Sequence, residues 1–417
     1  MKKRTVKISL TNQIMVATIL GIFWGVCLPS FGDQLQVIGD IFLRLIQMSV
    51  VVLVMGSVIE AVGKLDPKEL GGIGRKVFLW FTGSTIVAAV VGLLFALILK
   101  PGTGIDRNTL GTAETMASVD TLEDLILNFI PVNIIQAMVE QNMIQVIIFS
   151  LLFGFSLSLI KDEKKNSLFL DLITSFNHVL LKMISLIMKL APLGIFGLVA
   201  SLVQDTGIRV LSMLVNFLFT FAVASFVFLF FWFVLTAFYC KVSFIRLIKN
   251  MWRVSVISFT TTSSAVSLPF QIEDGKEKLG ISDRINKLVM PLAMTLNSNG
   301  LALFLSLAMV TIAQTYHIHL GFADFLQIIL LSALACLGTI VVPGGGLVTL
   351  ATVLPMVGLP TESIALLAGI DWFSGMFRTL LNVVPDMTVA MIVAHDEDQL
   401  DYEVFNKVTR DLQKLKT

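Results

Sequence analysis

Apolar positions gather in long runs separated by short polar segments. Runs of about 20 mostly apolar residues, the length that crosses a bilayer, lie near 11–30, 40–63, 77–99, 143–160, 170–204, 209–239, 286–313 and 364–394. Each predicts a helix. Two further apolar stretches, 254–273 and 323–357, are interrupted by Ser, Thr, Gly and Pro. The first run follows Lys2, Lys3, Arg4 and Lys7. It is too long for a signal-peptide core and ends without a small-x-small cleavage pattern, so it is expected to stay as an anchor.

Composition supports that reading. Of 417 residues, 56% are apolar and 14% charged, against roughly 25% charged in an ordinary soluble domain. So few charges cannot cover a water-soluble particle. The chain reads as an all-α polytopic membrane protein, with the lipid bilayer as its main partner. The net charge of +1 gives no basic field for nucleic acid. Cys27, Cys240 and Cys336 are odd in number, far apart and set in apolar sequence, so all three are expected to be buried small hydrophobes. The Lys-bearing phosphate loop and the His-Glu-x-x-His run are both missing, so ATP-driven pumping and zinc proteolysis lack their marks. His178, His317, His319 and His395 do not cluster along the chain.

Basic residues set the topology, because cytoplasmic loops collect Lys and Arg. The N-terminus, 64–76 (Lys64, Lys68, Arg75, Lys76), the segment with Lys161, Lys164 and Lys165, and the segment with Lys241, Arg246, Lys249 and Arg253 are basic. The intervening loops are not. Residues 254–273 have Arg253 before them and Lys276, Lys278, Arg284 and Lys287 after them, so this segment should enter and return on the cytoplasmic side. Between Lys287 and Arg378 there is no Lys or Arg, so 323–357 should return to the outside. The tail carries Lys407, Arg410, Lys414 and Lys416 and reads as inside. Eight spans plus two opposed re-entrant hairpins satisfy these signs. Broken helices at membrane depth survive only where they are buried in protein or line a cavity, and such a pair points to a transporter's binding site.

The last span carries the chemistry. Asp371, Gly375, Arg378, Thr379, Asn382 and Asp386 fall at offsets 0, 4, 7, 8, 11 and 15, one helical stripe. An ionised group at bilayer depth costs roughly 2.5–3.5 kcal/mol, so three on one face demand a polar interior. No acid sits three or four positions from Arg378, so it is expected to await an external anion, for which a carboxylate suits its planar fork. Asp386 and Asn382 offer oxygens for a hard monovalent cation or a proton. Pro385 frees a backbone carbonyl beside them. Ion pairing that only fixes helix packing is the bland alternative. In the seventh span, Asn297-Ser298-Asn299-Gly300 interrupts apolar sequence, and Gly300 is expected to break the helix. A cation site and plain interhelical hydrogen bonding stand as equal readings there. The first hairpin holds Thr260-Thr261-Thr262-Ser263-Ser264, an anion site or only a helix cap. The second holds Pro343-Gly344-Gly345-Gly346, a moving gate or a plain turn. Glu60 and Arg44 in the second span read as a structural pair rather than as coupling residues, and Glu140 lies near a span's entrance.

These motifs resemble the dicarboxylate/amino acid:cation symporter family, over about residues 8–395 and most specifically from 254 onward. Ser263-Ser264-Ala265 stands at the family's serine-rich tip. Asn297-Ser298-Asn299-Gly300-Leu301 stands where the family typically reads Asn-Met-Asp-Gly-Thr. Thr339 through Gly346 matches the second gate, and Asp371, Arg378, Thr379, Asn382 and Asp386 match the last-span signature. The resemblance implies an inverted-repeat, elevator-type symporter that forms homotrimers in the bacterial inner (plasma) membrane, with both termini cytoplasmic. It implies a scaffold (about 8–66 and 125–204), a transport region (about 77–99, 209–239 and 251–394) and a charged tail (395–417).

For the site, the resemblance implies substrate contacts at Arg378, Thr379, Asn382, Ser263, Ser264, Gly375, Thr339, Val342 and Gly346. It implies a sodium site at Asn297, Asn382, Asp386 and Ala293. A second sodium site, weakened here, would use Ser298, Asn299, Ser84 and Thr85 beside Phe81. The coupling ion is Na+ or H+, and no organic cofactor is implied. Where amino-acid carriers of the family hold an acid for the substrate's ammonium group, this chain has Gly375. Glutamate or aspartate and an amine-free C4–C5 dicarboxylate such as succinate or 2-oxoglutarate are therefore both expected substrates. An anion-conducting channel of the same fold is one rival. An intramembrane enzyme using Asp371 and Asp386 is another, disfavoured because about 22 Å of helix separates them.

Overall fold

Helices account for nearly all of the described backbone because each apolar run must satisfy its own peptide groups. The computed structural model describes residues 10–27, 32–63, 70–103, 130–140, 143–160, 163–206, 209–336 and 345–406. In chain order the helices are α1 (Leu10–Cys27), α2 (Gly32–Gly63), α3 (Arg75–Leu99), α4 (Ile134–Val139), α5 (Met143–Ser158), α6 (Glu163–Ile187), α7 (Ala191–Thr206) and α8 (Arg209–Tyr239). Then come α9 (Phe244–Thr261), α10 (Ser264–Glu277), α11 (Asp283–Leu296), α12 (Asn299–Thr315), α13 (Phe322–Ala335), α14 (Gly345–Val353), α15 (Ile364–Ala368) and α16 (Asp371–Asp396). Among the described residues there is no strand, only an isolated antiparallel bridge between Ile281 and Leu400.

Among the described residues, five segments are long and apolar enough to cross a membrane: Gly72–Leu99, Leu168–Ile187, Ser212–Tyr239, Asp283–Thr315 and Asp371–Asp396. On α8 the outward face exposes Phe219, Phe226, Phe230 and Phe238, while Phe217, Phe221 and Phe228 are buried inside. A helix that is apolar all round suits protein on one side and lipid on the other.

Three predicted single runs are broken. Residues 170–204 form α6 and α7, separated by a tight turn at Met188–Leu190. Pro192, the second residue of α7, has no N–H to carry the earlier helix onward. Residues 286–313 form α11 and α12, parted at Asn297–Ser298. Gly300 is not the breaker that the sequence suggested. It lies in the first turn of α12, where a Cβ would fall on the backbone of Arg378, so its role is close approach. The last run divides into α15 and α16 around Gly369–Ile370. The interrupted stretch 254–273 belongs to a longer helical hairpin of α9 and α10 that turns at Thr262 and Ser263. Thr262 takes a left-handed conformation (φ 52°), and the Ser263 hydroxyl accepts from the Val266 N–H to cap α10. Cys240 and Cys336 are buried as expected, but Cys27 is exposed, because its position at the end of α1 leaves it outside the core.

The helices pack in two groups. In one, α1, α2, α5, α6 and α7 contact each other. Glycines let the backbones meet: a Cβ at Gly21 would lie 3.0 Å from the Phe196 carbonyl, and one at Gly25 2.6 Å from that of Ala200. In the other, α3, α8, α13, α14 and α16 surround α12, which is buried along nearly its whole length, and α9, α10 and α11 pack against α16. After α16 the chain turns back under this group. Asp401 N–H donates to the Gly280 carbonyl at 2.8 Å, Ser282 N–H to that of Gln399 at 3.1 Å, and Phe405 is buried.

Candidate functional site

The polar stripe of α16 faces inward, against α12 and α11. Asp371, Thr379, Asn382 and Asp386 are buried, and Gly375 and Arg378 are half-buried. Arg378 is not the partnerless cation that the sequence suggested. Its Nη2 donates to Asp371 Oδ1 at 2.7 Å and to the Asp371 carbonyl at 3.2 Å. The i±3 and i±4 rule misses this pair. A long helical side chain runs back toward the N-terminus, and an arginine spans the two turns to an acid in the first turn. The other arm stays open: Nη1 is buried and has no hydrogen-bond partner. The guanidinium lies over the Phe304 ring, 4.7 Å from its centroid, a cation–π contact that sequence reasoning missed. Phe304 sits one turn after Gly300, and nothing in the sequence marks it among the chain's many phenylalanines.

Two glycines shape the space around the guanidinium. A Cβ at Gly346, in the first turn of α14, would fall on Arg378 Nη1. A Cβ at Gly375 would stand 3.4 Å from Nη2. Thr379 donates its hydroxyl to the Gly375 carbonyl at 2.9 Å. Asn382 Oδ1 accepts from the Gly300 N–H at 2.8 Å, which ties α16 to the start of α12.

One turn further along α16, Asn297 Nδ2 donates to Asp386 Oδ1 at 2.5 Å and to the Asn382 carbonyl at 3.0 Å. The Ala293 carbonyl accepts the Asn297 N–H at 2.8 Å. Two oxygens here are buried without a partner, Asn297 Oδ1 and Asp386 Oδ2. A carboxylate oxygen and an amide oxygen in a buried place fit a hard monovalent cation or a proton.

The second set differs. Asn299 Oδ1 accepts from both Ser84 Oγ and Thr85 Oγ1 at 3.0 Å, and the two hydroxyls share the Phe81 carbonyl. The open atom of Asn299 is its donor, Nδ2, buried and unpartnered. Each hydroxyl has one proton for two acceptors, Asn299 Oδ1 and the Phe81 carbonyl, and the set carries no charge to hold a cation strongly. Ser298 is buried, and its carbonyl accepts from the Leu301 and Ala302 N–H groups.

In the first hairpin Ser263 caps α10, while Ser264 Oγ is buried and unpartnered. Thr339, Val342, Pro343 and Gly344 lie outside the described residues. Glu60 does not pair with Arg44, which is exposed some 24 Å away along α2. Instead Glu60 accepts from Thr174 at 3.0 Å and Asn177 at 2.6 Å on α6. Glu140 is exposed at the end of α4 and accepts from Gln136.

The chain is thus a polytopic helical protein that buries an arginine with one unpartnered arm near a buried asparagine–aspartate pair with two unpartnered oxygens. The chain belongs to the sodium:dicarboxylate symporter family, whose model matches residues 10–396. It is 34% identical over 388 residues to the proton/glutamate-aspartate symporter of Bacillus subtilis (strain 168), covering 91% of this chain and 93% of that one. It is 28% identical over 424 residues to a C4-dicarboxylate transport protein of the same organism, covering 98% of each. A proton/sodium-glutamate symport protein of Bacillus caldotenax is 32% identical over 423 residues, covering 98% of this chain and 99% of that one. This is a family of symporters and not of enzymes, which removes the intramembrane-enzyme alternative.

Proposed function

We propose that the chain imports an acidic amino acid or a C4–C5 dicarboxylate together with Na+ or H+, and that Arg378 receives a substrate carboxylate. The open Nη1 of Arg378 carries this reading. Asp371 and Phe304 fix the guanidinium from one edge and one face. The remaining donor edge is pre-aimed, which favours binding without reorganisation. Thr379, Asn382, Ser263 and Ser264 supply polar contacts for the rest of the molecule, with Thr339 and Val342 from the second hairpin. Relatives named for glutamate-aspartate and for C4-dicarboxylates support both substrate classes. Gly375 brings no acid for an ammonium group, so an amine-bearing substrate shares the Asp371 carboxylate.

Asn297, Asp386, Asn382 and the Ala293 carbonyl would hold the coupling cation, which supplies positive charge next to the bound anion. The neutral Asn299 set, with Ser84, Thr85 and Ser298, is a weakened second cation site, so fewer cations are coupled. Gly346 seated on Arg378 closes the site from the second hairpin. An ion-conducting pore needs no such occluding contact. The two packing groups correspond to a static scaffold and a transport unit that moves against it as an elevator, within a fold of eight spans and two re-entrant hairpins. The basic ends place both termini in the cytoplasm of a bacterial inner membrane, and the assembly is a homotrimer.

The test is binding by the purified protein. Calorimetry should detect at least one of glutamate, aspartate, succinate and 2-oxoglutarate, and Arg378→Ala should lower its affinity at least a hundredfold. Undiminished affinity would remove Arg378 from the site.

A further inference from the structure

On α10, Ser264, Ser267, Gln271 and Asp274 recur at spacings of 3, 4 and 3, so they share one face. Their exposures are 3%, 0%, 0% and 0%. That face looks at α11. Asn286 Nδ2 donates to the Ile272 carbonyl at 2.6 Å, and a Cβ at Gly275, one turn beyond Gln271, would lie 2.8 Å from Asn286 Oδ1. This contact sets the antiparallel register of the two helices. Residues 272 and 275 both meet 286, so residue 271 lies level with about 287–290 and residue 264 with about 294–297. On α11, Asn286, Ala293 and Asn297 fall at offsets 0, 7 and 11 and return to one stripe. That stripe climbs about 16 Å to the cation pair.

Two members of this seam are satisfied. Asp274 accepts from Arg253 at 3.1 Å and Lys278 at 2.9 Å. Ser267 donates to the Ser263 carbonyl at 3.0 Å. The others are not. Gln271 Nε2 and Oε1, Asn286 Oδ1 and Ser264 Oγ are buried without a partner, as are Asn297 Oδ1 and Asp386 Oδ2 at the upper end. Buried polar atoms of this kind bond to water in stable proteins. A glutamine whose whole amide finds no protein partner serves no packing purpose that leucine would not serve better. The lower mouth is balanced, with Glu273, Asp274, Glu277 and Asp283 beside Lys276, Lys278, Arg284 and Lys287.

We propose that the α10–α11 seam is a water-lined route by which the coupling cation leaves the Asn297–Asp386 pair toward the basic end of the molecule, with Gln271 at its midpoint. The proposal rests on the reading of that pair as the cation site. The amide of Gln271 replaces part of the cation's hydration shell as it passes, and water fills the remaining positions.

The test is thiol labelling in a background with Cys27, Cys240 and Cys336 replaced by alanine. The probe is 2-aminoethyl methanethiosulfonate, a small cationic reagent, applied to either face of reconstituted vesicles. Gln271→Cys should react from the basic face at least tenfold faster than Leu305→Cys, a control in the dry core with 0% exposure. Labelling at the control rate overturns the route. As a second readout, Gln271→Leu should slow net uptake at least tenfold while substrate-for-substrate exchange, which does not require the cation to leave, stays within twofold. Unchanged net uptake in Gln271→Leu also overturns it. If the unmodified protein shows neither uptake nor exchange, the symporter reading fails, and the labelling result still decides the route.

Discussion

Gly346 touches Arg378 only because it has no side chain. Gly346→Ala puts a methyl group where Nη1 lies, so the guanidinium must swing off Phe304 or the second hairpin must lift. Either change should lower substrate affinity at least tenfold, about 1.4 kcal/mol, read by calorimetry. An unaltered affinity would show that the two groups do not meet in the bound state. Asp386 presents a free carboxylate oxygen beside the free amide oxygen of Asn297. Asp386→Asn removes the charge and keeps the shape. The dependence of substrate binding on sodium or on pH should flatten, and an unchanged response would take Asp386 out of the cation site. At this scale the sequence revealed which residues matter but not their pairing. The stripe on α16 and the Asn-Ser-Asn-Gly break were readable from spacing. The Asp371–Arg378 pair was not, because it depends on a side chain reaching back two turns. Phe304 was not, because nothing in the sequence says which aromatic ring lies under a cation.

Close helix contacts are made where glycine permits them. Gly300 lets α12 meet the backbone of α16 at Arg378, and backbone cannot step aside as a side chain can. Gly300→Ala should therefore destabilise the protein by about 3 kcal/mol and lower its Tm in detergent. A Tm within a degree of the parent would mean that the helices sit further apart. The spans were readable because twenty apolar residues have one physical solution in lipid. The breaks at Met188–Leu190 and Gly369–Ile370 were missed because the one charged residue at each, Lys189 or Asp371, leaves a long apolar window continuous. Lys189 and Pro192 were the signals for the first, and Gly369 and Asp371 for the second.

For the whole molecule, the number and placement of charges carried most of the information. Sparse charge excluded a soluble particle, and basic clusters gave the sidedness that makes two opposed hairpins consistent. The division into two packing groups was not readable, since it depends on which helices meet. It follows from glycine faces on α1 and α7 and from the burial of α12 among its neighbours. One consequence is that Arg378, the Asn297–Asp386 pair and the first hairpin all lie in a single group. In the proposed elevator this group travels, while the group of α1, α2, α5, α6 and α7 is the stationary surface and, in the proposed trimer, makes the contacts between copies.

The most direct test of this mechanism is uptake into proteoliposomes. Labelled glutamate, aspartate, succinate and 2-oxoglutarate are offered under separate sodium and proton gradients, with the unmodified protein and with Arg378→Ala. At least one substrate should accumulate above its outside concentration, only while a gradient is maintained, and not with Arg378→Ala. Equilibration without accumulation, or accumulation that survives the loss of Arg378, would contradict cation-coupled carboxylate transport at this site.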